Sequence, residues 1–504
     1  MPKNKTLILA ACVGLLSFLP RLALISKGPY HIDCLNLVIK AQETLATGQL
    51  QPLFGWGYPL TVLLASLFVA LFDGLNIGDP GLAVNFMSVV FGALAVSAYY
   101  LFTRKFLNET AALFGAFFFS FHPIFFGISL YGKSHAPSLF FLLAGLICLL
   151  YAHSARRTAL VLLSGFFFGL MGAARLHDLI LMLPAIILLL IGPLPGRSFT
   201  SILRGQKTKW LLFFGLIGIT VIACHLPFFL SQSEIYDSHL KTFWKMGVTN
   251  NFVGPVSSFL ITAGFMLTFS LTPIGMLLSL AGGLRLIQRD KQKALFLLLW
   301  LAVPLFFYGN LKTLTSRFLV ISVIPLTITE GYFLATLFSF RKIIFKISCC
   351  LVCLLIFGLT FWEVYPIFRF RHEQAALPDC ARWIASMTEP HAVIIMSDER
   401  LFTSYYGRRT TWHNPCGTIS VNKNYLPRFK AKLDRKLDDN IPIYITSFGL
   451  HAGDHTGEFT RFMVAHYELK HIGRHLTEDY HRGATHLNIG YENLFRIKAK
   501  KTNK

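Results

Sequence analysis

The sequence predicts an α-helical polytopic membrane protein of about eleven transmembrane helices, followed by a C-terminal extracytoplasmic α/β domain. Three observations predict it. Of the 504 residues 54% are hydrophobic and only 14% are charged, with a mean hydropathy of +0.55, far from the balance of a soluble globular chain. Apolar runs of bilayer-crossing length, roughly 17 to 25 residues each, recur as far as about residue 362, and beyond about residue 365 the composition becomes that of a soluble domain. The basic residues sit in short loops between the runs: Lys3 and Lys5, Arg104 and Lys105, Arg156 and Arg157, Arg197 through Lys209, Arg285 through Lys293, and Arg341 through Lys346. By the positive-inside rule those alternate loops are cytoplasmic, so the net charge of +22 reports topology and no nucleic-acid partner is expected.

The predicted spans are about 7–26, 82–102, 110–129, 136–153, 158–175, 177–193, 210–230, 256–282, 294–309, 317–338 and 343–362. The first has no small-residue cleavage site before Lys27 and reads as a retained helix. An odd number of crossings from a cytoplasmic N-terminus puts everything after residue 363 outside. Residues 57–74, "GYPLTVLLASLFVALFDG", would invert every later basic loop if counted as a span, and read instead as a helix in the outer interface. The first outer loop is then long, about 27–81, and within it "CLNLVIKAQETLATG" has helical spacing with a glycine stop at Gly48. The chain divides into a transmembrane domain, 1–365, and a soluble domain, 366–504. In the latter "LPDCARWIASM" and "YLPRFKAKLDRKL" predict helices, and "HAVIIMSD", "IPIYITSF" and "ENLFRIKA" predict strands. That order suggests a small layered sheet.

Most of the nine cysteines lie in apolar segments, where a thiol is a small buried hydrophobe. Cys380 and Cys416 fall in the outer domain, where a disulfide or two free thiols are both open. His451, His455, His466, His471 and His475 crowd the same domain without a zinc-ligand spacing. The chain carries no GxGxxG, no Walker loop and no GxSxG elbow, which argues against a nucleotide-driven pump or a soluble-type sugar-nucleotide transferase.

Acids are scarce: the first 370 residues contain eleven. Asp33, in "GPYHIDCLN", stands just past the outer end of the first span, at a depth where a carboxylate can stay ionised. It reads either as an N-cap for a helix starting at Cys34 or as a general base or metal ligand. "GAARLHDLILMLP", 172–184, gathers Arg175, His177 and Asp178 at an outer membrane edge, as an ion pair, or as a phosphate contact with a second acid. "LYGKSHAPS" brings Lys133 and His135 to the second outer loop.

A first span ending in "PRL", an acid soon after it, the 57–74 segment and "AVNFMSVVFGALAVSAYYLFTRKF" together resemble the GT-C membrane glycosyltransferases. These include the protein O-mannosyltransferases and aminoarabinose transferases, and the likeness is to the bacterial branch with an HPPGYPL signature. The likeness covers residues 7 to 190 best; Gly57, Tyr58 and Pro59 are what remains of the signature. It implies a GT-C-like fold and transfer of a hexosyl or pentosyl group from a polyprenyl-phosphate sugar donor. The acceptor would be a protein or glycan on the outer face of a bacterial inner membrane, with Asp33 as catalytic base. Donor-phosphate contacts would come from Lys133, Arg175, Lys245 and Arg317, the last in "TLTSRFLVISVIPL", which resembles the family's "RYLLPxxP" stretch. Lys241 and Lys312 are further outer cations. His135, His177, Asp178 and Tyr58 would stand near the acceptor or support these groups. The second outer loop lacks the acid that relatives often carry, so a divalent metal is left undecided. The alternatives are a multi-span transporter or flippase for a lipid-linked substrate, and a non-catalytic envelope assembly protein.

Overall fold

The computed structural model describes residues 3–54, 58–155, 157–191, 207–231, 256–310, 315–416, 425–478 and 487–499. Cα proximity separates two compact units. One comprises residues 1–26, 36–372 and 483–486; the other comprises 27–35, 373–482 and 487–504.

The first unit is helical because a bilayer core offers no water to backbone groups, and a helix pairs them within itself. Its elements are α1 (Lys3–Ala23), α2 (Ile32–Thr47, its first turn in the second unit), α3 (Pro59–Leu75), α4 (Pro80–Phe106), α5 (Glu109–Phe121), α6 (Pro123–Ile128), α7 (His135–Ala155), α8 (Thr158–Ala174), α9 (Leu176–Ile191), α10 (Lys207–Ser231), α11 (Val256–Arg289), α12 (Lys291–Gly309), a 3-10 turn (Ser316–Leu319), α13 (Val320–Phe338) and α14 (Ile343–Glu373). Among the described residues eight helices are long and apolar enough to cross a membrane, and four further apolar helices, α3, α5, α8 and α9, are shorter. Gly48 does stop α2, in the left-handed conformation (φ 66°) that its missing Cβ permits. Two helices outrun their predicted ends: α11 continues to Arg289 and α14 to Glu373. Amphipathic ends carry a helix past its apolar stretch, where hydropathy alone gives no signal.

The unit is apolar outside and selectively polar within. Leu7, Leu15, Leu16, Leu211, Ile219, Phe265, Leu277 and Leu354 are exposed, as a lipid solvent allows, while Arg21, Asp178, Arg175 and Glu330 are buried. Arg21 shows how such burial is satisfied. Its guanidinium donates to Ser17 O and Oγ (2.9 and 2.6 Å), to Ser120 O (2.7 Å) and to Ser129 Oγ (2.9 Å), and lies over the rings of Phe125 and Phe126. It thereby ties α1 to α5 and α6.

The second unit carries α15 (Ala376–Met387), β1 (Val393–Met396), α16 (Arg400–Tyr406), β2 (Thr410–His413), α17 (Tyr425–Asp438), β3 (Ile443–Thr446), α18 (Ser447–His451), α19 (Glu458–His466), β4 (Tyr467–Glu478) and β5 (Ile489–Ala499). The sheet order is β2-β1-β3-β5-β4, with β1 parallel to β2 and β3, and the β4–β5 pair antiparallel. The three predicted strands and two predicted helices form. The edge strands β2 and β4 were not expected, because "TTWH" and "YELKHIGRHLTE" lack an apolar run; edge strands bury less and need less of it.

Strand alternation gives the sheet two faces. Val393, Ile395, Ile443 and Ile445 pack with Phe429, Leu433, Phe459, Met463 and Cys416, whereas Ile394, Met396 and Tyr444 pack with Ile384 and Cys380. Cys380 and Cys416 are therefore free thiols in different cores, one on each side of the sheet. Of the five histidines, His451 ends α18, His466 ends α19, and His471 and His475 lie on β4. Among the described residues no three His, Cys, Asp or Glu side chains gather in a metal-binding group.

Glu492 on β5 is one of three buried acids of this unit among the described residues, with Glu399 and Glu478. It accepts from Ser447 Oγ (2.9 Å) and Phe448 N–H (2.8 Å), yet burial outweighs these bonds and pushes its carboxyl up to about 7. A folded value above the unfolded one, about 4.3, means the folded domain holds a proton that the unfolded chain releases. Stability present below about pH 4 is thus lost as pH rises through about 7, by about 4 kcal/mol in all. Thermal unfolding of the full chain at about pH 5 and about pH 8 is expected to show this drop for the sheet unit, and Glu492→Gln, which keeps an acceptor for both donors, is expected to flatten it.

Candidate functional site

The predicted candidates of the membrane unit converge. α8 ends at Ala174, and Arg175, in extended backbone (φ −157°), turns the chain into α9, so that His177 and Asp178 fall in the first turn of α9. The α7 N-terminus brings Ser134, His135 and Ser138, and the end of α12 brings Tyr308. Lys133 is anchored by its backbone, whose N–H donates to Ser88 Oγ (3.2 Å).

Arg175 and Asp178 are the centre. Arg175 Nε donates to Asp178 Oδ2 at 2.7 Å, and both side chains are only 4% exposed. Nη1 of Arg175 donates to Ser134 Oγ (3.1 Å), and Nη2 lies 2.6 Å from His177 Nε2. A guanidinium only donates, so His177 Nε2 accepts and the ring proton is on Nδ1. The second carboxylate oxygen, Asp178 Oδ1, accepts from Tyr308 Oη at 2.6 Å, and Ser138 Oγ adds a longer bond to Oδ2 (3.3 Å). This is a desolvated, hydrogen-bonded pair, not the surface ion pair that an i, i+3 spacing usually gives.

Aromatic edges frame the pair. Tyr58 and Tyr308 both pack edge-on against His177, with centroids 6.3 and 6.1 Å away, and Tyr308 stacks on Phe318. The Arg317 guanidinium lies over the Phe318 ring (5.3 Å). Tyr58 precedes Pro59 in the left-handed conformation (φ 47°, ψ 51°), where a non-glycine residue carries about 1–3 kcal/mol of strain. The chain stores that strain where Tyr58 meets His177.

His135 differs from the rest. It is 3% exposed, and neither ring nitrogen has a hydrogen-bond partner. Its electrostatic neighbours are Arg175, Lys133, Arg317 and His177. Three obligate cations therefore surround a buried imidazole with unused hydrogen-bonding capacity, and the Asp178 carboxylate is paired with one of them. Both oxygens of that carboxylate are already engaged, so the donor set suits an anion rather than a divalent cation.

Asp33 belongs to the other unit. α2 starts at Ile32 rather than Cys34, which places Asp33 inside the first turn and gives the capping role to His31. The His31 carbonyl accepts from Cys34 N–H (2.9 Å), its Nδ1 accepts from Asp33 N–H (3.0 Å), and the Asp33 carboxylate lies 3.4 Å from the same ring nitrogen. Asp33 is partly exposed and, at a helix N-terminus, favoured as an anion. Lys241, Lys245, Lys312 and Gly57 lie outside the described residues. Sequence reading missed Tyr308 and Ser138, whose only signal was a polar atom at the end of an apolar helix.

Residues 56–228 match the family described as dolichyl-phosphate-mannose-protein mannosyltransferase. No curated protein matches the chain. Among solved structures, ArnT from Cupriavidus metallidurans bound to undecaprenyl phosphate is similar at a TM-score of 0.61 and 12% identity, over 98% of each chain. The Archaeoglobus fulgidus oligosaccharyltransferase in its apo form is similar at a TM-score of 0.56 and 14% identity, over 88% of this chain and 70% of that one. The same organism's oligosaccharyltransferase AglB, with an inhibitory peptide and a dolichol-phosphate, gives a TM-score of 0.53 at 14% identity, over 96% of this chain and 74% of that one. The chain has the GT-C fold that its sequence resemblance implied, a polytopic helical unit with a C-terminal sheet domain.

The geometry orders the costs of substitution. Tyr308→Phe removes one bond to a buried charge and is expected to cost about 1–3 kcal/mol. Asp178→Ala leaves Arg175 buried without its counter-ion and is expected to cost about 3–5 kcal/mol. Thermal unfolding in detergent measures both, and the Arg175→Met, Asp178→Ala double variant is expected to lose less than the sum of its parts.

Proposed function

We propose that the protein is a membrane glycosyltransferase that moves a sugar from a polyprenyl-phosphate-linked donor to an acceptor, protein or glycan, on the outer face of a bacterial inner membrane. The observation that carries this reading is the cluster of buried Lys133 and Arg175 with the partly exposed Arg317 around the buried His135, whose ring nitrogens have no hydrogen-bond partner, an anion site inside an apolar helical unit. The lipid phosphates in two similar structures and the mannosyltransferase family match over residues 56–228, which holds Lys133, His135 and Arg175, support the same donor class. The alternating basic loops support a cytoplasmic N-terminus and an outer C-terminal domain.

In the proposed reaction an acceptor O–H attacks the anomeric carbon. Asp33 takes the proton as the new C–O bond forms, the bond from the anomeric carbon to the phosphate oxygen breaks, and the lipid phosphate leaves with the electron pair. Lys133, Arg175 and Arg317 stabilise the charge that grows on that phosphate, and His135 is placed to donate to it. Asp178, Tyr308 and His177 hold the Arg175 guanidinium in place, with Tyr58 against His177. A preorganised donor set costs no reorganisation when the charge appears, which is the advantage of fixing Arg175 on an internal carboxylate.

Incorporation of labelled sugar from polyprenyl-phosphate donors into membrane acceptors tests the reading, with wild type and Asp33→Asn at equal expression and equal thermal stability. Asp33→Asn is expected to lose about 10²–10⁴-fold in rate, the scale of general-base catalysis. Transfer at the wild-type rate would remove Asp33 as the base. Arg317→Gln and Lys133→Gln are expected to raise the donor KM and lower kcat, with acceptor KM unchanged. No transfer by any form would move the assignment to a transporter or an assembly protein.

A further inference from the structure

A second buried polar cluster lies apart from the anion site. Glu330, on α13, is fully buried, and neither carboxyl oxygen has a hydrogen-bond partner. The helices around it touch backbone to backbone: a Cβ on Gly331 would stand 2.5 Å from Gly115 N on α5, and one on Gly282 of α11 would overlap Thr329 O. Such small-residue contacts are how membrane helices pack closely, and they shut the Glu330 carboxyl into a tight helix junction.

His122 faces the same place. It sits at the break between α5 and α6, held extended (ψ 124°) by the following Pro123. It is 3% exposed, with both ring nitrogens unpartnered. His122 and Glu330 line one cavity of about 20 Å³ together with Ser270, Leu271 and Thr360, room for a single water. The Ser270 hydroxyl donates to Leu267 O and the Thr360 hydroxyl to Ile356 O, so both oxygens offer only lone pairs. The third wall is a broken helix: Thr272 leaves helical geometry (φ 66°, ψ 155°) before Pro273, and a Cβ on Gly275 would stand 3.0 Å from Glu330 Oε1.

Among the described residues the titratable groups around Glu330 are His122, Tyr99 on α4 and Cys353 on α14, and none of these is an obligate cation. An ionised carboxylate here would be buried without donor or counter-ion, which is the costliest state such a group can take. A carboxylic acid has one hydrogen to give. One water accepts it and donates onward, giving partners to both orphaned side chains at once.

We propose that Glu330 and His122 form an intramembrane proton-binding site, in which the Glu330 acid donates to one water and that water donates to a ring nitrogen of His122. The proton can then move from carboxyl to water while a water proton moves to the imidazole, leaving carboxylate and imidazolium with no change in net charge. Ionisable groups inside a span commonly hold or relay protons, and helices broken beside them are a recurrent part of such sites. The site is independent of the glycosyl-transfer reading.

Dicyclohexylcarbodiimide tests it in membranes holding the full-length protein. This apolar reagent reacts with protonated carboxyls in apolar surroundings: the acid O–H adds across a C=N bond, and the O-acylisourea rearranges to a stable N-acylurea. Peptide mapping is expected to place the adduct on Glu330 and to show its loss in Glu330→Gln. Infrared difference spectra of unlabelled wild type are expected to show a protonated-carboxyl C=O band that Glu330→Gln removes and His122→Asn shifts. No adduct and no such band in folded wild type would overturn the proposal. Protection from the reagent by sodium but not by choline would overturn it in favour of a metal cation, and a band unmoved by His122→Asn would remove His122 from the site.

Discussion

The constraint on which the membrane unit depends is the absence of water around its helices. Without water, each buried charge must find its partners among neighbouring side chains and carbonyls, and the cost of failing is several kcal/mol. Arg21 answers with serine hydroxyls, carbonyls and two aromatic faces, and among the described residues with no carboxylate. Arg175 answers with Asp178. The two solutions differ in consequence. Arg21 fastens helices together and is consumed by doing so, whereas the Arg175 pair stands beside Lys133, Arg317 and an imidazole with capacity left over.

That leftover capacity separates architecture from chemistry here. In a dry helical unit, a satisfied polar group explains itself by the fold. An unsatisfied one, such as His135, Glu330 or His122, requires something the protein chain does not contain. The surroundings then specify what is required: cations around His135 favour an anion, and apolar walls with one acid and one imidazole around a one-water cavity favour a proton. The same low dielectric that penalises the empty sites makes their occupied states selective.

The sheet unit packs around its strands and buries, among its described residues, the acids Glu399, Glu478 and Glu492. Its two cores follow strand alternation, and its charged groups are mostly at the surface. Glu492 is buried where β5 passes the start of α18 and is held there by Ser447 and Phe448, so the fold keeps the carboxyl at the expense of a pH-dependent stability.

By itself the sequence determined the parts that depend on local pattern. Apolar run lengths set the helices, Gly48 set the end of α2, and short β-branched and aromatic apolar runs set β1, β3 and β5. The same reading named Lys133, His135, Arg175, His177, Asp178, Arg317 and Tyr58, because charged and aromatic groups at the ends of apolar runs are rare enough to be conspicuous. Only the tertiary structure decided which of them meet. Tyr308 lies 130 residues from the Asp178 it bonds, and Glu330 and His122, silent polar letters inside or between apolar runs, become a pair because Gly115, Gly275, Gly282 and Gly331 let three helices close around them. Cys380 and Cys416 share a domain in the sequence and opposite faces of a sheet in space. Hydropathy and spacing report what each segment does with its own solvent, while the direction in which a buried side chain points is fixed by helices far away in the chain.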